Sequence, residues 1–151
     1  MRALSIYLAG PLFNIAEREF NRILAQALRA DGHHVFMPQE HEQRNAGAAD
    51  IYRRDLAALE RAELVLANMD GPDPDSGTCW ECGYAVGKGK NVVVFRTDFR
   101  AGDDPRQAPY NLMLKCSASD DIYRPELAND ELQGLIDEIR RRLEKYGPDP
   151  I

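Results

Sequence analysis

The sequence predicts an α/β fold, a parallel five-stranded sheet with helices on both faces, and two observations carry that expectation. Short β-rich runs alternate with longer segments of helical periodicity along the chain. Two of those runs, Leu64 to Met69 (LVLANM) and Asn91 to Arg96 (NVVVFR), are apolar almost without a break, the pattern of strands covered on both sides. Parallel neighbours need crossover connections, and right-handed crossovers place the connecting helices on the two faces of the sheet.

Leu4 to Leu8 (LSIYL) is the first strand, ended by the loop signal Ala9-Gly10-Pro11. From Asn14 to Ala30 the pattern is helical: Ile15, Phe20, Ile23, Leu24, Ala27 and Leu28 recur at helical spacing, and Asp31-Gly32 closes the segment. His34 to Met37 (HVFM) is a second strand, halted by Pro38. A second helix, Ala48 to Ala62, turns Ile51, Leu56 and Leu59 inward. The third strand, Leu64 to Met69, leads through the turn-rich DGPDPDSG to a helix over Thr78 to Gly87, and Asn91 to Arg96 is the fourth strand. Thr97 to Pro109 reads as a polar surface loop, Asn111 to Cys116 as a short helix and Asp121 to Tyr123 as the fifth strand. Asn129 to Lys145 is a last amphipathic helix with Leu132, Leu135, Ile136, Ile139 and Leu143 inward.

A chain of 151 residues fits one domain, residues 1–151. The expected strand order is the flavodoxin-like (Rossmann-like) 2-1-3-4-5. Ligands of such sheets bind beyond the carboxyl ends of the strands, at the switch point between strands one and three. The chemistry is therefore expected where Gly10-Pro11 and the Asp70 to Gly77 loop lie side by side.

With 44% hydrophobic and 29% charged residues, the composition is that of a soluble globular protein. No apolar run approaches the roughly 20 residues of a membrane helix, so no membrane partner is expected, and MRALSIYLAGP is a poor signal peptide. A cytoplasmic location follows as the expectation. The net charge of −6 and the absence of a basic, aromatic-lined stretch argue against polymeric nucleic acid as a partner. Three cysteines without an export signal point to reduced thiols.

Cys79 and Cys82 spell a CxxC, yet a zinc site needs two more soft ligands at comparable spacing, and only Cys116 remains. They read as small thiols packing a helix. His33, His34 and His41 lack ligand spacing and read as structural or exposed. GPLFNIAEREFNR, after the first strand, holds neither GxGxxG nor GK[ST], and Pro11 removes a backbone donor, which disfavours dinucleotide and triphosphate binding. The acids remain. Asp73 reads as a turn residue. Glu81 is expected in the first turn of its helix at the mouth of the site, ionised with help from the helix dipole and suited to attack an anomeric carbon. Asp70 and Asp75 are placed to hold hydroxyls or a proton.

Taken together, IYLAGPLFN (Ile6 to Asn14), ELVLANMDG (Glu63 to Gly71), DSGTCWECGYAVGKGK (Asp75 to Lys90) and YNLML (Tyr110 to Leu114) resemble the nucleoside 2-deoxyribosyltransferase family in order and spacing. The thiols flanking Glu81 and the Thr97 to Pro109 loop lie outside the family pattern. The resemblance implies Glu81 as nucleophile, Tyr7 as the group that orients it, and Asp70 as the acid that handles the base. It places substrate contacts on Gly10, Phe13, Asp75, Gly77, Asn111 and Met113, with Asn111 reaching the sugar across a subunit interface. It implies a homo-oligomer with shared sites, nucleosides and free nucleobases as partners, and neither metal nor organic cofactor.

The implied reaction is base exchange on a 2′-deoxyribonucleoside with retention, through a glycosyl-Glu81 ester. Two other readings stay open. A nucleoside 5′-monophosphate N-glycosidase would hydrolyse the same bond, although Gly10 to Asn14 carries no basic residue before Arg18 and so suits a neutral 5′-hydroxyl. A non-catalytic nucleotide sensor would bind without releasing base. Base preference is not written in the aromatic candidates Phe13, Phe36 and Trp80, which suit any base.

Overall fold

Apolar runs of strand length and helices with one apolar stripe assemble as the pattern demands. A computed structural model describes residues 2–41, 44–100, 109–125 and 132–147. Its strands are β1 (Ser5–Ala9), β2 (His34–Phe36), β3 (Leu64–Asn68), β4 (Asn91–Arg96) and β5 (Asp120–Tyr123), and its α-helices are α1 (Ile15–Ala30), α2 (Ala48–Arg61), α3 (Ser76–Gly87), α4 (Leu112–Ser117) and α5 (Leu132–Leu143). The sheet order is β2-β1-β3-β4-β5 with every pairing parallel, as expected. A 3-10 turn at Pro38–Glu40, absent from the sequence reading, follows β2. Residues 101–108 of the expected surface loop and 129–131 of the expected last helix lie outside the described residues.

Alternation along each strand divides the interior in two. Leu4, just before β1, and Ile6 and Leu8 of β1 join Leu24 and Leu28 of α1 and Leu135, Ile136 and Ile139 of α5 on one face. Tyr7 and Ala9 point the other way, with Val65 and Ala67 of β3, Leu59 of α2 and Cys82 and Ala85 of α3. Tyr7 is fully buried, and its register opposite Phe36 on one side and Val65 on the other sets it mid-sheet. The second face is the one that holds the site.

Ile15 departs from the inward stripe expected of the first helix and is 79% exposed. It is the first helical residue after the Asn14 cap, where a reciprocal capping box with Glu17 fixes the helix entry. Its side chain therefore lies before the first turn that meets the sheet. His33 is buried and its Nδ1 accepts the Leu4 amide at 3.1 Å, a structural role. Arg96, fully buried at the end of β4, donates to the carbonyls of Met69, Gly71 and Arg100 and so ties the loop after β3 to the segment after β4. None of the helices among the described residues is long and apolar enough to cross a membrane.

Candidate active site

The loop after β3 ends in Asp75, whose carboxylate caps α3 by accepting from the Thr78 amide at 2.9 Å and the Thr78 hydroxyl at 3.1 Å. Gly77 leaves room for this cap, since a Cβ there would lie 3.1 Å from the Asp75 carboxylate. Because the cap starts α3 at Ser76, earlier than expected, Glu81 falls in the second turn rather than the first. Its side chain reaches the sheet. The Tyr7 hydroxyl donates to Glu81 Oε1 at 2.5 Å. Phe36 stacks on the Tyr7 ring at 5.4 Å, and His41 stacks on Phe36 in turn, so the phenol is held from behind.

This pair borders a cavity of about 370 Å³ between α2 and α3. Tyr52, Asp55, Leu56 and Leu59 face it from α2, Gly77 and Trp80 from α3. Burial pushes the Glu81 carboxyl up to about 7. The Tyr7 hydrogen bond works against that rise, and the charges of Asp55 and Asp75 add to it. The helix-dipole expectation is thereby corrected: removal from water outweighs the terminus, whose influence fades within the first turn. Burial, then the Glu81 charge, raises the Tyr7 phenol so far that it stays a hydrogen-bond donor.

The other sequence candidates lie elsewhere. Asp70 Oδ1 accepts the amides of Thr97 at 2.6 Å and Asp98 at 2.8 Å, and Oδ2 accepts the Thr97 hydroxyl at 2.7 Å. It borders a separate cavity of about 250 Å³ with Pro11, Asp98 and Arg100. Gly10 closes β1 against Asn68, whose Cβ would lie 3.1 Å from an added side chain. Phe13 is 70% exposed, with its amide bound to Glu17. Asn111 caps α4 through the Met113 amide at 2.9 Å, and both residues are exposed. The structure thus brings together Tyr7, Glu81 and Gly77, sets Asp75 beneath them as a cap, and leaves Asp70, Gly10, Phe13, Asn111 and Met113 outside the cavity.

Asp55 is the acid that the sequence reading passed over, hidden in the charged string RRDLAALE. The available signal was helical phase: Asp55 follows Ile51 by four residues and precedes Leu59 by four, which puts a carboxylate on the apolar stripe. Of the thiols, Cys82 is buried and pushed up to about 12 by that burial. Half-buried Cys79 is also raised by burial, with its Sγ against the Pro74 carbonyl. Both are packing groups with little thiolate character. No cluster of three or more His, Cys, Asp or Glu side chains suited to a metal ion occurs among the described residues.

A doubly wound parallel sheet that buries a phenol-clamped carboxylate beside an aromatic-rimmed cavity defines an α/β enzyme for a small organic substrate. The profile of the nucleoside 2-deoxyribosyltransferase family matches residues 6–113, and the chain belongs to that family. Among solved structures, a conserved protein from Enterococcus faecalis V583 is 26% identical with a TM-score of 0.74, over 94% of this chain and 100% of that one. The 2-deoxyribosyltransferase of Bacillus psychrosaccharolyticus is 28% identical with a TM-score of 0.64, over 84% of this chain and 94% of its own. The Leishmania mexicana 2-desoxiribosyltransferase shares the fold at 23% identity and a TM-score of 0.64, over 88% of this chain and 96% of that one. No curated protein sequence matches the chain.

Proposed function

We propose that the protein is a nucleoside 2-deoxyribosyltransferase that exchanges the base of a 2′-deoxyribonucleoside through a covalent deoxyribosyl ester on Glu81. The observation that carries this reading is the 2.5 Å hydrogen bond from the Tyr7 hydroxyl to Glu81 Oε1 at the edge of an apolar cavity. The phenol occupies one carboxylate oxygen and leaves the other for the anomeric carbon, while burial strips water from the nucleophile.

In the first displacement, a Glu81 oxygen forms a bond to C1′ as the bond from C1′ to the base nitrogen breaks, and the departing base takes up a proton. Asp55, in the same cavity, is the group assigned to pass that proton and to recover it from the incoming base. Asp70, which accepts three hydrogen bonds from Thr97 and Asp98, is assigned to the shape of its loop. The second base then attacks C1′ and releases Glu81, so two inversions give net retention. Asn111 and Met113 are assigned, on the resemblance, to the site of a neighbouring subunit in a homo-oligomer, a role that fits their exposure.

A neutral nucleoside is favoured over a 5′-monophosphate because the described residues lining the cavity carry two carboxylates, Asp55 and Glu81, and no cation. A phosphate dianion gains affinity from charge-assisted donors, and the cation beside these walls, Arg54, is already engaged by Asp55 at 3.1 Å. The test is incubation with deoxyinosine plus adenine, followed by chromatography and by intact-protein mass measurement. Deoxyadenosine and a deoxyribosyl adduct that is absent from Glu81→Ala are the expected results. Base release from deoxyinosine 5′-monophosphate alone, with no exchange, would replace transfer by hydrolysis.

A further inference from the structure

The residue before the nucleophile carries a feature that the mechanism leaves unused. Trp80 is 47% exposed at the rim of the Glu81 cavity. It is not a loose side chain. Tyr84 lies nearly parallel beneath its ring, with centroids 5.2 Å apart and planes 16° apart. Tyr84 is anchored in turn by its hydroxyl, which donates to Glu60 at 2.6 Å, and by the Lys88 ammonium 5.2 Å from its ring centre. Across the mouth, Tyr52 of α2 meets the indole edge-on at 5.9 Å and 67°. A backed indole and an opposing phenol therefore frame the entrance to a cavity whose base is Tyr7 and Glu81.

An indole left half in water beside a cavity is apolar surface waiting for a flat partner, and heteroaromatic bases stack on such surfaces with little regard to their hydrogen-bonding edges. The polar groups of the cavity are the Tyr7 hydroxyl, already committed to Glu81, the carboxylates of Glu81 and Asp55, and Tyr52, set beside the apolar side chains of Leu56, Leu59 and Trp80.

We propose that Trp80, backed by Tyr84 and faced by Tyr52, is the platform on which the base stacks while the sugar is carried by Glu81, and that it sets both a preference for two-ring bases and the partition between transfer and hydrolysis. This inference rests on the transferase reading above. In the partition step, the bond from C1′ to the Glu81 oxygen breaks and one new bond forms. With a base, C1′ bonds to the ring nitrogen and the N–H proton passes to Asp55, giving a new nucleoside. With water, C1′ bonds to oxygen, one water proton passes to Asp55, and free deoxyribose leaves. A base parked on Trp80 is already beside C1′ and occupies the space water would use. A purine covers more of the indole than a pyrimidine and is held longer.

The experiment compares wild type, Trp80→Ala and Trp80→Phe in exchange between deoxyinosine and adenine and between thymidine and cytosine, with free deoxyribose measured in the same samples. Trp80→Ala is expected to raise KM for adenine about tenfold or more, to raise KM for cytosine less, and to increase the hydrolysis-to-transfer ratio about tenfold. The deoxyribosyl adduct still forms, and Trp80→Phe recovers most of the loss. A Trp80→Ala protein that melts with wild type and keeps its base preference and product ratio would overturn the platform while leaving the transferase reading standing. Absence of any adduct or exchange in the wild type would instead overturn that reading. Should Trp80→Ala not fold, the same two ratios in Trp80→Phe and Trp80→Leu decide the matter.

Discussion

Glu81 and Asp98 are two carboxylates near the carboxyl edge of one sheet, and their surroundings drive them in opposite directions. Asp98 is held well below the usual carboxylate range by hydrogen bonds from the Arg100 guanidinium, with the Arg100 and Gly71 amides adding to the effect. Its neighbour Asp70 accepts three hydrogen bonds of its own. Glu81 is raised by burial, has one phenol as its partner, and feels two further carboxylates. The acids of the Asp70 cluster have their needs met inside the loop and serve to hold it. Glu81, with a single hydrogen-bond partner shown and its carboxyl raised by burial, is the acid to which the proposed reaction assigns reactivity.

That contrast is open to direct attack. The largest effect is expected from Glu81→Gln, which should lower exchange by at least about a thousandfold and, at the same time, raise the melting temperature. The sign follows from linkage. Glu81 is raised in the fold from an ordinary 4.5 to about 7, so the folded state holds its proton longer. The stability this lends is full below about pH 4.5 and is lost as pH rises through about 7, on the order of 3 kcal/mol. The glutamine carries no such loss, and melting curves at pH 8 should show the variant ahead. A wild type that melts equally well at pH 5 and pH 8 would count against a buried Glu81.

Next come two substitutions that should move the same pH profile in opposite directions. Tyr7→Phe is expected to reduce kcat about 10- to 100-fold and to shift the acidic limb of kcat/KM, expected near pH 7, upward, because the hydrogen bond that favours the ionised glutamate is gone. Asp55→Asn is expected to cost a similar factor and to shift that limb downward, because a like charge is removed. Parallel shifts in both variants would dissolve the three-residue unit.

The smallest effect belongs to the Asp70 cluster. Asp70→Ala is expected to destabilise the protein by about 1–3 kcal/mol, since three donors lose their acceptor, and to reduce exchange far less than Asp55→Asn. Thermal melts beside exchange rates decide it. A loss of exchange larger than that of Asp55→Asn would return Asp70 to the chemistry.

How much of this was legible in the sequence varies with the kind of signal. Strand identity and order were, because LVLANM and NVVVFR have one compatible environment and right-handed crossovers leave few ways to connect them. Glu81 is legible from its place after a buried strand and again by resemblance, Tyr7 by resemblance alone, while their contact is a tertiary fact that spacing does not encode. The state of Glu81 was misjudged: moving the helix start to the Asp75 cap carries the glutamate away from the terminus and towards the sheet. Asp55 is masked by the charges around it in RRDLAALE, and only helical phase marks it as facing inward. Asp70 and Glu81 are indistinguishable as letters. What separates them is whether amides of a distant strand end happen to converge on the carboxylate, as those of Thr97 and Asp98 do.

Tyr7 and Glu81 are 74 residues apart along the chain, and β1 sits between β2 and β3 rather than at an edge. β1 is thus a middle plank that must wait for both neighbours before it can be laid. Contacts of such span form late and slowly. Turnover therefore reports on completed assembly, and in a refolding experiment enzymatic rate should recover no sooner than the slowest spectroscopic phase.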